Sequence, residues 1–377
     1  MSEVGGGSLL ACGILALFLA LLVTPVVRRL ALVIDIVDHP DHRRVHSGVV
    51  PTLGGVAVVI SFTGALLIHN LLADGIVYRL LSIYGWHVRY FVIGGLIVLV
   101  AGILDDAFTL PPWAKLLLQI VAALVAVIGG YGVEAITNPV TGGEIGLGTL
   151  GGLFTAAWIV AVTNAFNLID GLDGLAAGVA FIAAVSIIMI AQVEVRPDAA
   201  LLASAFAGAL LGFLRYNFHP ASIFLGDSGS QLLGYTLSLL SIQGLQKGAT
   251  TVVIIVPILA LGLPLLDTAV AILRRLIVTG VATVFRADRE HIHHRLVAMG
   301  MTQRRAVLVL YAVCALFGSV AFLSVVSRGP IKGLLLSGVA LATLLGVRFL
   351  GYRRTSQELP VGSAIDSFED TSDLRSP

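Results

Sequence analysis

Polar residues are scarce in this 377-residue chain, and those that could do chemistry fall into five clusters. Asp105 and Asp106 stand side by side after an apolar run, with Lys115 ten residues on, just beyond Pro111-Pro112. Asn164, Asn167, Asp170 and Asp173 recur at every third position in a segment closed by Gly171-Leu172-Asp173-Gly174. Phe224 and Asp227 belong to Phe224-Leu225-Gly226-Asp227-Ser228-Gly229, a tight loop in which a carboxylate and backbone amides can approach a phosphate or a hydrated ion. His291, His293, His294 and Arg295 form another group, and Asp38, Arg43, Arg44 and His46 precede Pro51-Thr52-Leu53-Gly54-Gly55.

Together the clusters offer carboxylates for a metal and cations for anionic oxygens, the equipment for phosphoryl transfer between two anions. Magnesium suits the inventory, because it keeps several waters and takes one or two carboxylates plus substrate phosphates. Zinc suits it less. If the histidine segment is helical, His291, His294 and Arg295 share a face while His293 points away, and histidines beside an arginine read better as donors to phosphate or sugar oxygens. On a straight helix, steps of three drift by about 60° each, so Asn164 and Asp173 would end on opposite sides. Gly171 and Gly174 offer the break that folds the second half back toward one ligand. The plainer alternatives are a solvated helix end at Asp105-Asp106, a structural polar stripe at Asn164 to Asp173, and a basic loop that binds anionic lipid. No Gly-x-x-x-x-Gly-Lys-Ser/Thr loop is present, which argues against a P-loop ATPase.

The elements that must position these groups are set by composition. Apolar residues make up 57% and charged residues 12% of the chain, whereas typical proteins have about 45–50% and about 25%. That excludes an ordinary cytosolic enzyme, a disordered protein and a basic nucleic-acid binder, and the net charge of +1 names no partner. Cys12 and Cys314 both sit in apolar runs and predict neither a disulfide nor a metal site. A bilayer core needs roughly 20 apolar residues per helix. On that measure the sequence predicts an all-α polytopic membrane protein with about eleven spans, near 9–27, 53–73, 90–104, 113–130, 149–166, 175–192, 199–214, 229–245, 250–272, 306–326 and 330–350. The third is short, which predicts that Asp105 and Asp106 are recessed in a wet cleft.

With the N-terminus outside, most of the 23 Lys and Arg fall on the cytoplasmic side, as the positive-inside rule requires, and every polar cluster joins them. The active-site cleft is therefore expected to face the cytosol, with the C-terminus on the same side. The first helix is expected to be retained, because its basic pair, Arg28 and Arg29, follows the apolar stretch. Asn138, Pro139 and Gly142-Gly143 suit a small hairpin in an otherwise plain set of outer loops. Residues 1–354 read as one membrane domain and 355–377 as a disordered acidic cytoplasmic tail.

In these motifs the chain resembles the polyprenyl-phosphate N-acetylhexosamine-1-phosphate transferase family over nearly its whole length before the tail. The matching residues are Arg43-Arg44-x-His46 with Pro51 and Gly54-Gly55, Asp105-Asp106 to Lys115, Asn164 to Gly174, Phe224 to Gly229, and His291 to Arg295. The resemblance implies magnesium-dependent transfer of a sugar-1-phosphate from a UDP-sugar to a polyprenyl phosphate, with release of UMP and with manganese as a substitute ion. It implies Asp105, Asp106 and Asp227 as catalytic residues, with the roles of Asp105 and Asp106 open between deprotonating and positioning the lipid phosphate. It further implies Asp227 and Asn167 as the metal site and Lys115 as a ligand of the diphosphate. Phe224 resembles the aromatic that stacks on uracil, near Asp173 and the Gly171-Leu172 backbone. Asn164, Asp170, His291, His293, His294, Arg295, Arg43, Arg44 and His46 complete the implied substrate-binding set, Arg44 standing where many relatives carry lysine. His-x-His-His-Arg resembles the branch that uses UDP-N-acetylglucosamine, with undecaprenyl phosphate as acceptor in a bacterial plasma membrane. The alternatives within the family are transfer of phospho-N-acetylmuramoyl-pentapeptide or use of another UDP-N-acetylhexosamine. Relatives imply a homodimer, and nothing implies nucleic acid.

The competing class is an ion-coupled transporter, whose sites tend to lie near the bilayer midplane on broken helices in repeated halves. Here no repeat is visible and the clusters lie at helix ends. Asp267 is the one deeper acid; it could bind the lipid phosphate, pair with an arginine or line the cleft.

Overall fold

In the computed structural model, the described residues are 6–38, 49–83, 87–133, 135–137, 144–243, 258–259, 261–278, 291–327 and 330–349. The chain opens with α1 (Gly6–Val33), and a two-stranded ribbon, β1 (Val37–Asp38) against β2 (Val50–Pro51), leads into α2 (Gly54–Leu72). A short α3 (Ile76–Ile83) precedes α4 (Val88–Phe108) and α5 (Pro112–Ile128). The antiparallel hairpin β3 (Ala135–Thr137) and β4 (Glu144–Gly146) separates these from α6 (Thr149–Ile169), α7 (Leu175–Val193), α8 (Pro197–Asn217) and α9 (Gly226–Gln243). The remainder is α10 (Gly262–Val278), α11 (Ile292–Ala298), α12 (Gln303–Val326) and α13 (Pro330–Phe349).

The described chain is nearly all helical, and seven of its helices (α1, α2, α4, α6, α7, α8 and α12) are long and apolar enough to cross a membrane. This is the make-up of a polytopic membrane protein. The expected count of eleven is not met on that measure. Three of the remaining four expected spans correspond to shorter apolar stretches, Pro112–Ile128, Gly262–Ile272 and Ile331–Gly346. The fourth is α9, which is rich in Ser, Thr and Gln and is enclosed by protein, every side chain from Ser228 to Gln243 being buried. Helices α2, α4, α6, α7 and α8 surround it. Several of its polar groups are bonded inside the bundle: Gln119 donates to Gln231 Oε1 at 3.1 Å, and the Ser238 and Ser241 hydroxyls back-bond to the carbonyls three residues earlier, while the Ser228 hydroxyl and Gln231 Nε2 are buried without a partner among the described residues. A helix enclosed in this way can be polar without meeting lipid.

Two further differences from the sequence expectation concern the chain before α5. The connection after α2 contains α3, which buries Ile76, Val77 and Leu80 and is too short to span. The third apolar run is not truncated: α4 has 21 residues, so Asp105 and Asp106 lie in its last turn instead of beyond its end. Left-handed Thr109 then turns the chain, and Pro112 starts α5 at a position where the missing N–H costs nothing. That turn brings Lys115 back over Asp105.

Close backbone contact holds the site together. A Cβ at Gly102 of α4 would collide with the Ser228 backbone, so α4 lies against the start of α9. The segment before α9 is tied to the Pro51-Thr52-Leu53-Gly54-Gly55 run: Phe224 N donates to Pro51 O at 2.8 Å, Gly54 N to Phe224 O at 3.0 Å and Gly55 N to Leu225 O at 3.0 Å. That motif therefore serves as the shelf on which the Phe224 loop is laid.

Candidate active site

A cleft of about 780 Å³ opens where the last turns of α4 and α6, the first turns of α5 and α9, the β1–β2 ribbon and the start of α11 and α12 meet. Its centre is an ion-pair bridge. Lys115 Nζ pairs with Asp105 on one side and lies 2.9 Å from Asp227 Oδ2 on the other. Asp105 is buried, and its Oδ1 accepts from Leu110 N at 2.6 Å, which fixes the carboxylate to the turn that carries Lys115. The other oxygen of Asp227 accepts from Asn167 Nδ2 at 2.5 Å, and the same amide reaches Ser230 Oγ at 3.0 Å.

Asp106 does different work. Its Oδ1 accepts from Asp227 N at 2.8 Å and its Oδ2 from Ser228 N at 3.1 Å. It thus caps the start of α9 from a neighbouring helix, where free N–H groups and the helix dipole favour a negative charge. Gly226, at φ +73°, makes the turn that exposes those amides.

The opposite wall is the Asp170–Gly174 turn between α6 and α7, with left-handed Gly174 as its pivot. Asp170 is half-buried in the lining, and burial, with Asp106 and then Asp173 nearby, pushes its carboxyl up to about 8. Asp173 Oδ2 accepts from His219 Nδ1 at 2.8 Å and from Ala221 N at 3.1 Å. Phe224 lines the cleft between this wall and Asp227. Among the described lining residues, six are aspartates (38, 105, 106, 170, 173 and 227) and Lys115 is the one lysine or arginine. An anionic substrate entering here needs added positive charge.

The histidine cluster flanks this wall. His291 stands just before α11 without a side-chain capping bond, and Asp267 holds both: His291 Nδ1 is 2.9 Å from Asp267 Oδ2, and Ile292 N, the first of the helix, donates to Oδ1 at 2.8 Å. Among the described residues Asp267 pairs with His291 and with the Ile292 backbone, and so anchors the start of α11. His293 is buried with its ring against Gly171, stacked on His291 at 5.8 Å and 4.2 Å from the His294 ring. Neither nitrogen of His293 has a hydrogen-bond partner among the described residues, and burial, together with His294, holds its pKa down at about 3.

This constellation matches known proteins along most of the chain. It is 38% identical over 304 residues to the protein of Bacillus subtilis (strain 168) named "Probable undecaprenyl-phosphate N-acetylglucosaminyl 1-phosphate transferase", covering 81% of each chain. Residues 88–245, from α4 to just beyond α9, match the family described as Glycosyl transferase family 4. The chain belongs to that family. The family-4 enzyme is also 34% identical over 323 residues to the decaprenyl-phosphate N-acetylglucosaminephosphotransferase of Mycobacterium tuberculosis (strain ATCC 25618 / H37Rv), covering 79% of this chain and 78% of the relative. To the undecaprenyl-phosphate alpha-N-acetylglucosaminyl 1-phosphate transferase of Escherichia coli (strain K12) it is 28% identical over 305 residues.

In this family-4 transferase the structure brings Asp105, Asp106, Lys115, Asp170, Gly171, Leu172, Asp173, Phe224, Asp227 and His294 to one cleft, with Asn167 bonded to Asp227 behind it. Asn164 is not in the lining. Its amide donates to Gln119 Oε1 on α5 at 2.5 Å and to Val160 O at 2.9 Å, about one turn back along α6 from Asn167. His291 and His293 are buried behind His294, and the expected face-sharing of His291 with His294 fails because His291 precedes the helix. Arg295 is half-buried on α11. Arg43, Arg44 and His46, the hairpin turn at 138–143 and the tail at 355–377 lie outside the described residues. His219, Thr109 and Gln303 line the cleft and were not anticipated; His219 sits alone in sequence, eight residues before Asp227, with only the adjacent Pro220 to mark a turn.

Proposed function

We propose that the enzyme transfers N-acetylglucosamine-1-phosphate from UDP-N-acetylglucosamine to undecaprenyl phosphate, releasing UMP and leaving a polyprenyl-diphospho-sugar. The relatives named for this reaction support the transfer to a polyprenyl phosphate, and the observation that carries it into this chain is the Asp105–Lys115–Asp227 bridge in a cleft that also holds Phe224. The cleft is an aspartate-rich cavity with an aromatic stacking surface, which suits a nucleotide donor.

The oxygen donors fit a magnesium ion. A lysine ammonium already sits between two carboxylates, which marks the place as one that stabilises positive charge; Asp227 has the hard oxygens an ion would take there, and Asn167, whose amide nitrogen now bonds Asp227, would have to turn its oxygen to join it. Among the described residues no three His, Cys, Asp or Glu side chains converge as a metal cage. That suits an ion completed by water and substrate phosphates. When bound, magnesium or manganese would neutralise the diphosphate and polarise the phosphorus under attack.

The remaining steps belong to the chain. An oxygen of the lipid phosphate forms a bond to the sugar-linked phosphorus while the bond from that phosphorus to the bridging oxygen breaks, and UMP leaves with that oxygen. Lys115 would exchange an aspartate partner for a phosphate oxygen and hold the developing charge. Asp105, buried beside it, keeps the ammonium in place. Phe224 offers a face for the base. We place the cleft on the cytoplasmic side of a bacterial plasma membrane, supported by the inward bias of Lys and Arg. Membranes containing the enzyme, supplied with undecaprenyl phosphate and either donor, test the choice of sugar. Turnover of UDP-N-acetylglucosamine supports it, and turnover of the muramoyl-pentapeptide donor alone overturns it.

A further inference from the structure

His219 lies on the cleft wall, 46 residues from the aspartate it touches. His219 Nδ1 lies 2.8 Å from Asp173 Oδ2, a contact in which the ring N–H donates and the carboxylate oxygen accepts. Ala221 N donates to the same oxygen at 3.1 Å. Both bonds fall on Oδ2, and among the described residues Oδ1 takes none, which leaves it for a ligand in the cleft. The segment that carries His219 is itself held. Its carbonyl accepts from Arg304 Nε at 3.1 Å, Asn217 Nδ2 donates to Ile223 O at 3.0 Å, and Phe224 N donates to Pro51 O at 2.8 Å. One braced loop thus supplies an aromatic face, Phe224, and the imidazole that orients a free carboxylate oxygen.

Together these parts suit a planar base with an N–H on its edge. A uracil ring has an imide N3–H that a carboxylate accepts, whereas the cytosine N3 is an acceptor that a carboxylate repels. We infer that His219 is a positioning residue that holds Asp173 in the orientation that reads the imide edge of a uridine nucleotide and disfavours cytidine. This rests on the nucleotide-sugar donor proposed above.

The test uses the full-length enzyme in detergent, with KM for each substrate, kcat, and competition by UMP and CMP. In His219→Ala, KM for UDP-N-acetylglucosamine should rise about tenfold, the order expected when a charge-assisted hydrogen bond that orders a binding carboxylate is lost. The kcat and the KM for undecaprenyl phosphate should stay within about twofold, and the preference for UMP over CMP should narrow. His219→Asn, whose amide N–H can replace Nδ1–H, should restore most of the donor KM. If both variants damage kcat and the two KM values together, or if UMP affinity in His219→Ala equals that of the wild type, the inference is overturned while the donor reading stands. Failure of UMP to compete in the wild type would overturn the donor reading and the inference with it.

Discussion

Lys115 and Asp227 meet at 2.9 Å across 112 residues of sequence, and Asp105 closes the lysine from the other side. The bridge joins the start of α5 to the start of α9, so one ammonium sets the spacing of two carboxylates before any substrate arrives. Replacing it with Lys115→Met should reduce turnover by about a hundredfold or more, the scale of losing one preorganised charge at a phosphoryl centre. Because two aspartates then lack their cation, manganese should bind no more weakly than in the wild type. Steady-state assays combined with a manganese titration check both; weaker ion binding in Lys115→Met contradicts the bridge.

Asp106 caps α9 through two backbone N–H groups. Asp106→Ala should therefore lower stability by about 1–2 kcal/mol, as loss of a helix cap does, and Asp106→Asn, which keeps one acceptor, by less. Thermal unfolding of the detergent-solubilised protein reads this, and a midpoint equal to the wild type in Asp106→Ala would remove the cap from the account.

Gly171 has the His293 ring where a side chain would begin. Gly171→Ala should displace the Asp170–Gly174 wall or the histidine and cost about 1–3 kcal/mol, typical of overpacking. His293→Ala in the same chain should relieve part of that cost. A double-mutant cycle on thermal stability measures the coupling, and strict additivity would show that the two residues do not press on each other.

His293 also makes stability depend on pH. Its folded pKa is held at about 3, below the ordinary 6.5, so the unfolded state takes up the proton first as pH falls. Stability should drop between pH 6.5 and about 3 and level off above pH 6.5. In His293→Asn this part of the slope, at most roughly 1.4 kcal/mol per pH unit, should vanish. Unfolding midpoints across that range decide it; an unchanged slope assigns the acid sensitivity to other groups.

The chain announced some of this and concealed the rest for physical reasons. Asp105, Asp106 and Lys115 were legible because carboxylates at the end of an apolar run are costly unless something uses them. The Asp170–Gly174 turn was legible from its glycines. The role of α9 was not, since hydropathy cannot separate a helix facing lipid from one enclosed by five others. The partners of Asp173 and Asp267 lie 46 and 24 residues away, beyond any local pattern. Adjacent aspartates also look alike in sequence, and only the tertiary contacts distinguish Asp105, which faces the lysine, from Asp106, which faces the α9 amides.

The central claim is that the bond broken lies between the two phosphates of the donor. UDP-N-acetylglucosamine radiolabelled in its β-phosphate, given to the purified enzyme with undecaprenyl phosphate and magnesium, tests this directly. The account predicts that the label passes into the lipid phase, with unlabelled UMP as the released nucleotide. Label retained in UDP in the aqueous phase, with unlabelled sugar on the lipid, would contradict it.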